Sequence, residues 1–275
     1  MLFLISLGYP MQPIANIAIR AARAAGRIIM RAMNHMDEHK VIHKTRNDYV
    51  SDVDQKAEQE IIQIIRRAYP THAILAEESG QIEGDDFVWI IDPLDGTTNY
   101  LHGFPQFSVS IAIQYKGRLE HGVIYDPLKD EMFTASRGEG AMLDNHRLRV
   151  TPLKTLTGAL LGTGIPFRDQ RYMDEYLQML KVLSKDAAGI RRAGSAALDL
   201  AYVAAGRLDG FWELGLKPWD MAAGILLITE AGGVVTDLDG DASCMDTGNL
   251  LTANPRLHRL MQTLINDYIP RALRI

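Results

Sequence analysis

One stretch of sequence decides the fold and the candidate site of this chain: Trp89-Ile90-Ile91-Asp92-Pro93-Leu94-Asp95-Gly96-Thr97-Thr98-Asn99. Its pattern predicts a buried apolar strand that ends in two carboxylates and a Gly-Thr-Thr turn. A carboxylate left unpaired in an apolar core costs several kcal/mol, so neither acid is expected to be a core residue. Hard divalent cations prefer carboxylate and carbonyl oxygens. We therefore expect Asp92, Asp95 and the backbone carbonyl of Leu94 to form a metal site.

The turn after Asp95 predicts the start of a helix. Free amide groups and the positive end of the helix dipole at Gly96-Thr97-Thr98 would attract a phosphate group. The alternative interpretation of the whole motif is an Asp-rich turn with an N-cap. Enzymes that form an aspartyl phosphate also contain Asp-Gly-Thr, but within the pattern Asp-x-Asp-Gly-Thr. The Asp-x-x-Asp spacing found here, with Pro93 inside it, favours a metal-activated water and no covalent intermediate.

Three more acidic positions are candidates for the same site. Glu77-Glu78-Ser79 follows a predicted strand, so its carboxylates also lie at a strand end, although two adjacent Glu residues more often form a solvated surface pair. Asp220 is predicted to cap a helix over residues 221–231, which is compatible with metal binding. Glu213 ends another predicted strand, and a salt-bridged surface acid is its alternative interpretation.

The composition indicates an ordinary globular chain. It has 275 residues, 47% of them apolar, with 29 Lys and Arg against 34 Asp and Glu and a net charge of −5. This mild acidity argues against a protein that coats nucleic acid, although a local basic patch remains open. The single cysteine, Cys244, excludes an internal disulfide and a cysteine-based zinc cluster, which favours a reducing compartment and a cytoplasmic location.

The first ten residues are apolar but lack the basic segment and the cleavage site of a signal peptide. We expect residues 1–10 to be a dispensable extension, with translation starting at Met11. No segment is apolar enough to predict a membrane span. Residues 11–150 and 151–275 are expected to be the two halves of one compact catalytic unit.

Helical and strand patterns alternate along both halves, which favours mixed sheets between layers of helices. Predicted helices cover residues 13–33, 53–69, 172–183, 196–205, 218–231 and 255–269. Predicted strands cover residues 73–76, 87–91, 107–115, 119–125, 131–135, 159–163, 189–192, 209–213 and 233–237.

A metal face of His35, His39 and His43 is disfavoured, because the helix is expected to end before His43. Arg191 and Arg192 could bind a second phosphate group, but we favour a structural role in which they pair with acidic side chains.

The acidic motifs together resemble the inositol monophosphatase family, and most closely its bacterial SuhB-type branch. The resemblance covers nearly the whole chain from Met11 onwards. It rests on Asp92–Asn99, on Glu77-Glu78-Ser79, on Trp219-Asp220-Met221-Ala222-Ala223-Gly224, and on the segments 192–207 and 230–237. It implies a mixed α/β fold, a layered αβαβα sandwich of the inositol monophosphatase and fructose-1,6-bisphosphatase type.

The resemblance also implies Mg²⁺-dependent hydrolysis of a phosphate monoester, myo-inositol 1-phosphate, with two to three Mg²⁺ in the site and inhibition by lithium. One Mg²⁺ would bind Glu77, Asp92 and the Leu94 carbonyl. A second would bind Asp92, Asp95 and Asp220, and a weaker third would lie near Glu77.

The remaining site residues follow from the same resemblance. Glu77 and Thr97 would position the attacking water, with Asp54 hydrogen-bonded behind Thr97. The amides of Gly96 and Thr97 would hold the phosphate. The sugar alcohol would be bound by Asp95, Ala196, Glu213 and Asp220. The resemblance implies one more contact near Gly162-Thr163-Gly164, but it does not fix which of these residues makes it.

Other substrates and a second kind of role stay open. Fructose 1,6-bisphosphate and 3′-phosphoadenosine 5′-phosphate are alternative substrates in the same superfamily. Proteins that resemble this chain are often homodimers. Bacterial members also act as partners of the transcription machinery in ribosomal RNA antitermination, so a non-enzymatic role is the second hypothesis.

Overall fold

The computed structural model describes residues 13–33, 41–45, 48–167 and 169–273. The predicted N-terminal extension, His35 and His39 lie outside these residues. Among the helices that are described, none has both the length and the apolar composition needed to cross a membrane.

The first half of the chain builds one eight-stranded sheet and the helices beside it. The strand order is β10-β9-β8-β7-β6-β5-β3-β4, and β1 and β2 form a separate hairpin. The elements are α1 (Pro13–Met33), β1 (Val41–Thr45), β2 (Asp48–Ser51), α2 (Asp52–Ala68), β3 (Ala73–Ala76), β4 (Gly80–Ile82), β5 (Phe87–Asp95), α3 (Thr97–Leu101), β6 (Ser108–Tyr115), β7 (Arg118–Asp126), β8 (Glu131–Ser136), β9 (Gly140–Leu143) and β10 (His146–Arg147).

The second half builds a five-stranded sheet with the order β12-β11-β13-β15-β14, in which β11 runs parallel to both of its neighbours. The elements are β11 (Leu160–Thr163), α4 (Met173–Ser184), β12 (Gly189–Arg191), α5 (Ala196–Ala204), β13 (Gly210–Glu213), α6 (Pro218–Glu230), β14 (Val234–Thr236), α7 (Cys244–Thr247), β15 (Leu250–Ala253) and α8 (Pro255–Ile265).

Three apolar clusters hold five layers together. On β5, Trp89 and Ile91 pack against α1 and α2, whereas Ile90 packs on the opposite face against α5 and α6. This alternation is the two-residue period of a strand buried on both faces. Helices α5 and α6 also pack on Phe211 of the second sheet, and α4 and α8 cover its outer face. The order α, β, α, β, α confirms the predicted layered sandwich.

Two element boundaries differ most from the sequence predictions. The predicted strand over residues 87–91 extends to Asp95, because its pairing with β6 continues across a register shift between Asp92 and Asp95. An extra residue in one strand of a pair is the geometry of a β-bulge, and it keeps the ladder intact beyond Pro93. The predicted C-terminal helix ends as an α-helix at Ile265, and a 3₁₀ turn over Asn266–Tyr268 follows.

Helix α6 lies unusually close to the first sheet, and a glycine makes this approach possible. A Cβ atom added to Gly122 of β7 would lie 2.9 Å from the Ala223 carbonyl oxygen and 3.1 Å from the Ala223 Cα atom. Both are backbone atoms, so α6 itself would have to move. The layer that carries Asp220 therefore depends on this contact.

We expect Gly122→Ala to destabilise the protein by about 1–3 kcal/mol, the usual cost of overpacking a core. Gly189→Ala on β12 is the matched control, because its new Cβ would approach only side chains, the end of Arg191 at 3.1 Å and the Leu160 Cδ1 atom at 3.5 Å. Urea unfolding of both variants measures the difference. Equal stabilities would contradict the close packing of α6 on β7.

Candidate active site

The end of β5 brings the first carboxylates together. Strands β3 and β5 are parallel, with Ala76 opposite Ile91, so Glu77 follows β3 at the edge where Asp92 continues β5. The Glu77 N–H donates to the Ile91 carbonyl at 3.1 Å and fixes this junction. Asp95 comes three residues after Asp92, beyond the bulge. The sheet thus gathers Glu77, Asp92 and Asp95 from two separate segments of sequence.

Asp220 joins this group from the second half of the chain. Its carboxylate lies with those of Asp92 and Asp95 so that one oxygen from each falls within 4.8 Å of the others. The prediction that Asp220 is an N-cap is wrong, since α6 starts at Pro218, Lys217 is the N-cap and Asp220 is the third helical residue. Pro218 has a backbone angle suited to the first helical position, which starts the helix earlier. The Asp220 carboxylate accepts the Lys217 N–H at 2.7 Å.

Burial and mutual repulsion disfavour the charged forms of these groups. Asp92 is 1% exposed, and its pKa lies well above the ordinary value, first through burial and then through Glu77, Asp95 and Asp220. Burial and the charge of Asp220 raise the pKa of Asp95 to about 7, and burial with Asp220, Asp54 and Glu78 raises the pKa of Glu77 to about 8. A divalent cation fits this arrangement, since it would relieve the repulsion that raises these values.

Hydrogen bonds hold the carboxylates in place. The Leu94 N–H donates to Asp92 at 2.9 Å, while the Ser195 hydroxyl and the Ala197 N–H donate to one oxygen of Asp95 at 2.6 and 2.8 Å. The Leu94 side chain is 1% exposed, so Leu94 offers the site its backbone only. These contacts orient each acid before any ligand enters.

The turn after Asp95 has the geometry that only glycine adopts easily. Gly96 has φ 93° and ψ 33°, and a Cβ there would lie 2.9 Å from the Gln106 carbonyl oxygen. The helix that follows, α3, has only five residues. The Thr97 hydroxyl donates to the Leu94 carbonyl at 3.0 Å. The predicted hydrogen bond between Asp54 and Thr97 stays a prediction.

A cavity of about 690 Å³ opens above the carboxylates. Nine of the ten predicted site residues line it: Glu77, Asp92, Leu94, Asp95, Gly96, Thr97, Ala196, Glu213 and Asp220. Asp54 is absent from the lining that the described residues form. It is buried in the first turn of α2, and its charge contributes to the raised pKa of Glu77.

The wall beside β11 brings Gly164 next to Glu213. A Cβ on Gly164 would lie 1.8 Å from the carboxyl carbon of Glu213, so this glycine gives Glu213 its place in the cavity. The hydroxyl of the preceding Thr163 donates to the Trp212 carbonyl at 2.9 Å. The predicted contact with the sugar alcohol near residues 162–164 stays a prediction.

Sequence reasoning missed several residues of the site. Ser195 supports Asp95, and Asp199 of α5 lines the cavity although it is only 2% exposed. An acid inside an otherwise apolar helix was the signal for Asp199. Arg192 also lines the cavity, with its guanidinium 5.1 Å from the centre of the Phe167 ring, whereas the Arg191 guanidinium donates to the Ile190 carbonyl.

Comparison with known proteins agrees with this geometry. The model of the inositol monophosphatase family matches residues 10–272. A Pseudomonas aeruginosa protein named Nus factor SuhB is 54% identical over 270 residues, which are 96% of this chain and 100% of that protein. Its Escherichia coli K12 namesake is 49% identical over 96% of this chain and 100% of its own length.

Solved structures give the same result. The extragenic suppressor protein SuhB from Bartonella henselae has a TM-score of 0.89 and 44% identity, covering 92% of this chain and 98% of its own. Inositol monophosphatase from Anabaena has a TM-score of 0.81 and 37% identity. The match covers 96% of this chain and 99% of the Anabaena chain. The resemblance read from the motifs, including the SuhB-type branch, is confirmed.

The raised pKa values predict how stability depends on pH without metal. Between the ordinary values of 3.8 for Asp95 and 4.5 for Glu77 and their raised values of about 7 and about 8, the folded protein holds more protons than the unfolded chain. The free energy of unfolding therefore falls as pH rises through this window. We expect the melting temperature of the metal-free protein to fall correspondingly, and Mg²⁺ to restore it at the alkaline end.

Asp95→Asn is the variant that checks this cause. Removing one carboxyl should flatten the pH dependence and reduce the stabilisation by Mg²⁺, both measured by thermal unfolding in chelator and in Mg²⁺. Asp174→Asn, an exposed position on α4, controls for the loss of one charge. A wild-type melting temperature that rises over the same window would contradict the proposed repulsion.

Proposed function

The chain belongs to the inositol monophosphatase family, and on that premise we propose that it hydrolyses myo-inositol 1-phosphate and related small polyol monophosphates with Mg²⁺ as cofactor. Family membership supports phosphatase activity in general. The proposal of Mg²⁺ as cofactor and of a polyol monophosphate as substrate rests on one cavity, which has a cluster of carboxylates on its floor and Glu213 on its wall. Such a cavity offers oxygen ligands for a cation together with a hydrogen-bond acceptor for a polyol.

Two sets of residues would hold the Mg²⁺ ions. We assign one ion to Glu77, Asp92 and the Leu94 carbonyl, and a second to Asp92, Asp95 and Asp220, with a weaker third near Glu77. Bound Mg²⁺ lowers the pKa of a coordinated water and offsets negative charge on the phosphate ester.

The protein groups supply position and orientation. In this proposal Glu77 and Thr97 orient the attacking water, with Asp54 behind Thr97, and the Gly96 and Thr97 amides bind the phosphate. Holding the reacting groups in line supplies much of the catalysis in phosphoryl transfer.

The alcohol side of the substrate would contact a second group of residues. Asp95, Ala196, Glu213 and Asp220 are the proposed contacts. Glu213, an acceptor at the far wall, would receive hydrogen bonds from ring hydroxyls. A site with paired acceptors rejects an analogue that lacks those hydroxyls, because the acceptors are then left unpaired.

Asp92→Asn tests the metal assignment. It removes a ligand shared by both ions, so kcat/KM for myo-inositol 1-phosphate should fall at least about 100-fold, since losing even an outer-shell partner of a metal costs 10–100-fold. Phosphate release with and without Mg²⁺ is the measurement, and Asp174→Asn is the control. A clear preference of the wild type for fructose 1,6-bisphosphate or 3′-phosphoadenosine 5′-phosphate would overturn the substrate assignment.

The names of the relatives favour a second role. Proteins 54% and 49% identical to this chain over 96% of its length are named Nus factor SuhB. We propose that this chain is also a partner of proteins in transcription antitermination, and that it acts as a homodimer in the cytoplasm. Residues 11–150 and 151–275 would work as one unit in both roles.

The two roles are separable if hydrolysis and partner binding use different surfaces. Asp95→Asn should abolish hydrolysis and leave capture of RNA polymerase or an antitermination protein from native lysate at the wild-type level. Quantitative pull-down beside a phosphate-release assay measures both. Failure of the wild type to capture either partner would exclude the second role, and loss of both properties in a folded variant would show that they are not independent.

A further inference from the structure

Asp199 is a buried acid that the proposed chemistry does not use. It lies in α5, whose sequence Ala-Ala-Leu-Asp-Leu-Ala-Tyr-Val-Ala is otherwise without charge, and it is 2% exposed. Its Oδ1 atom receives no hydrogen bond from the described part of the chain, yet the residue lines the cavity. Buried polar atoms are nearly always hydrogen-bonded, so an acid left in this state at a cavity wall indicates a partner supplied by a ligand.

Gly162 of β11 and Gly164, which follows the last residue of that strand, lie next to Asp199 and Glu213. A Cβ on Gly162 would lie 3.8 Å from the Asp199 carboxyl carbon, and a Cβ on Gly164 would lie 1.8 Å from the Glu213 carboxyl carbon. Both acids therefore lie beside this segment, both line the cavity, and the charge of Glu213 acts on Asp199.

Burial disfavours the charged form of Asp199. The pKa of Asp199 lies well above its ordinary value, first through burial and then through the charges of Glu213 and Asp95, while Arg192 acts in the opposite direction. A protonated carboxyl donates a hydrogen bond, whereas an ionised one only accepts. When protonated, the Asp199 carboxyl on α5 can therefore donate a hydrogen bond to a ligand hydroxyl.

We propose that Asp199 is a further specificity-determining residue, which binds a ring hydroxyl of the substrate next to the hydroxyl that Glu213 accepts from. The inference rests on the proposed function and narrows it. The preferred substrates are monophosphates of polyols with at least two hydroxyl groups beyond the phosphate ester, and an alkyl phosphate of the same size lacks the matching groups.

The test compares two esters with the same ring, myo-inositol 1-phosphate and cyclohexyl phosphate, on wild type, Asp199→Ala and Asp199→Asn. Asp199→Ala should raise KM for the inositol ester about tenfold, the effect expected from losing one buried hydrogen bond, with kcat within about twofold. The constants for cyclohexyl phosphate should not change. Asp199→Asn keeps a donor and should retain most of the affinity. Asp174→Asn is again the charge control.

Binding and stability separate the possible failures. Calorimetry should show that wild type prefers the inositol ester and that Asp199→Ala loses this preference, whether or not either ester is hydrolysed. If wild type hydrolyses neither ester, the proposed function fails, and the calorimetry still decides the role of Asp199. Equal losses on both esters, or unchanged constants on both, would overturn the inference. Thermal unfolding identifies a variant whose losses come from a damaged fold.

Discussion

Repulsion between carboxyl groups at one edge of the eight-stranded sheet is the constraint on which the site depends. Asp92, Asp95 and Asp220 are held within a few ångströms of one another, with Glu77 beside them, and burial denies them the screening of water. Chains rarely retain such a cluster, because each uncompensated charge costs free energy. A divalent cation bound among these carboxylates would compensate their charges. The surrounding hydrogen bonds orient the acids before such an ion binds.

The fold keeps these groups together through backbone geometry. The bulge in β5 allows pairing with β6 to continue past Pro93, so that Asp92 and Asp95 are both anchored to the sheet. Gly122 lets α6 approach closely enough to deliver Asp220. Because Asp92 and Asp220 come from different halves of the chain, the carboxylate cluster is complete only when α6 packs on the first sheet.

Much of this arrangement was accessible from sequence. The apolar strand followed by Asp-Pro-Leu-Asp-Gly-Thr-Thr identified the floor of the cavity, and helical periodicity gave α1 with its observed bounds. The end of β5 and the cap of α6 were misplaced. Strand pairing beyond Pro93 depends on the neighbouring β6, and Asp220 accepts the Lys217 N–H from the third helical position instead of standing at the N-cap. Asp199 was also missed. Its charge inside an otherwise apolar helix is visible in the sequence, but only the folded chain shows that the residue lines the cavity.

Mn²⁺ binds oxygen ligands as Mg²⁺ does and is visible by anomalous scattering, so crystals of the wild type soaked in Mn²⁺ show whether these carboxyl groups share metal ions. We expect anomalous peaks at coordination distance, about 2.0–2.2 Å, from Asp92, with one peak shared by Asp95 and Asp220 and another by Glu77. Peaks elsewhere, or a cavity in which these four carboxyl groups share no ion, would contradict this expectation.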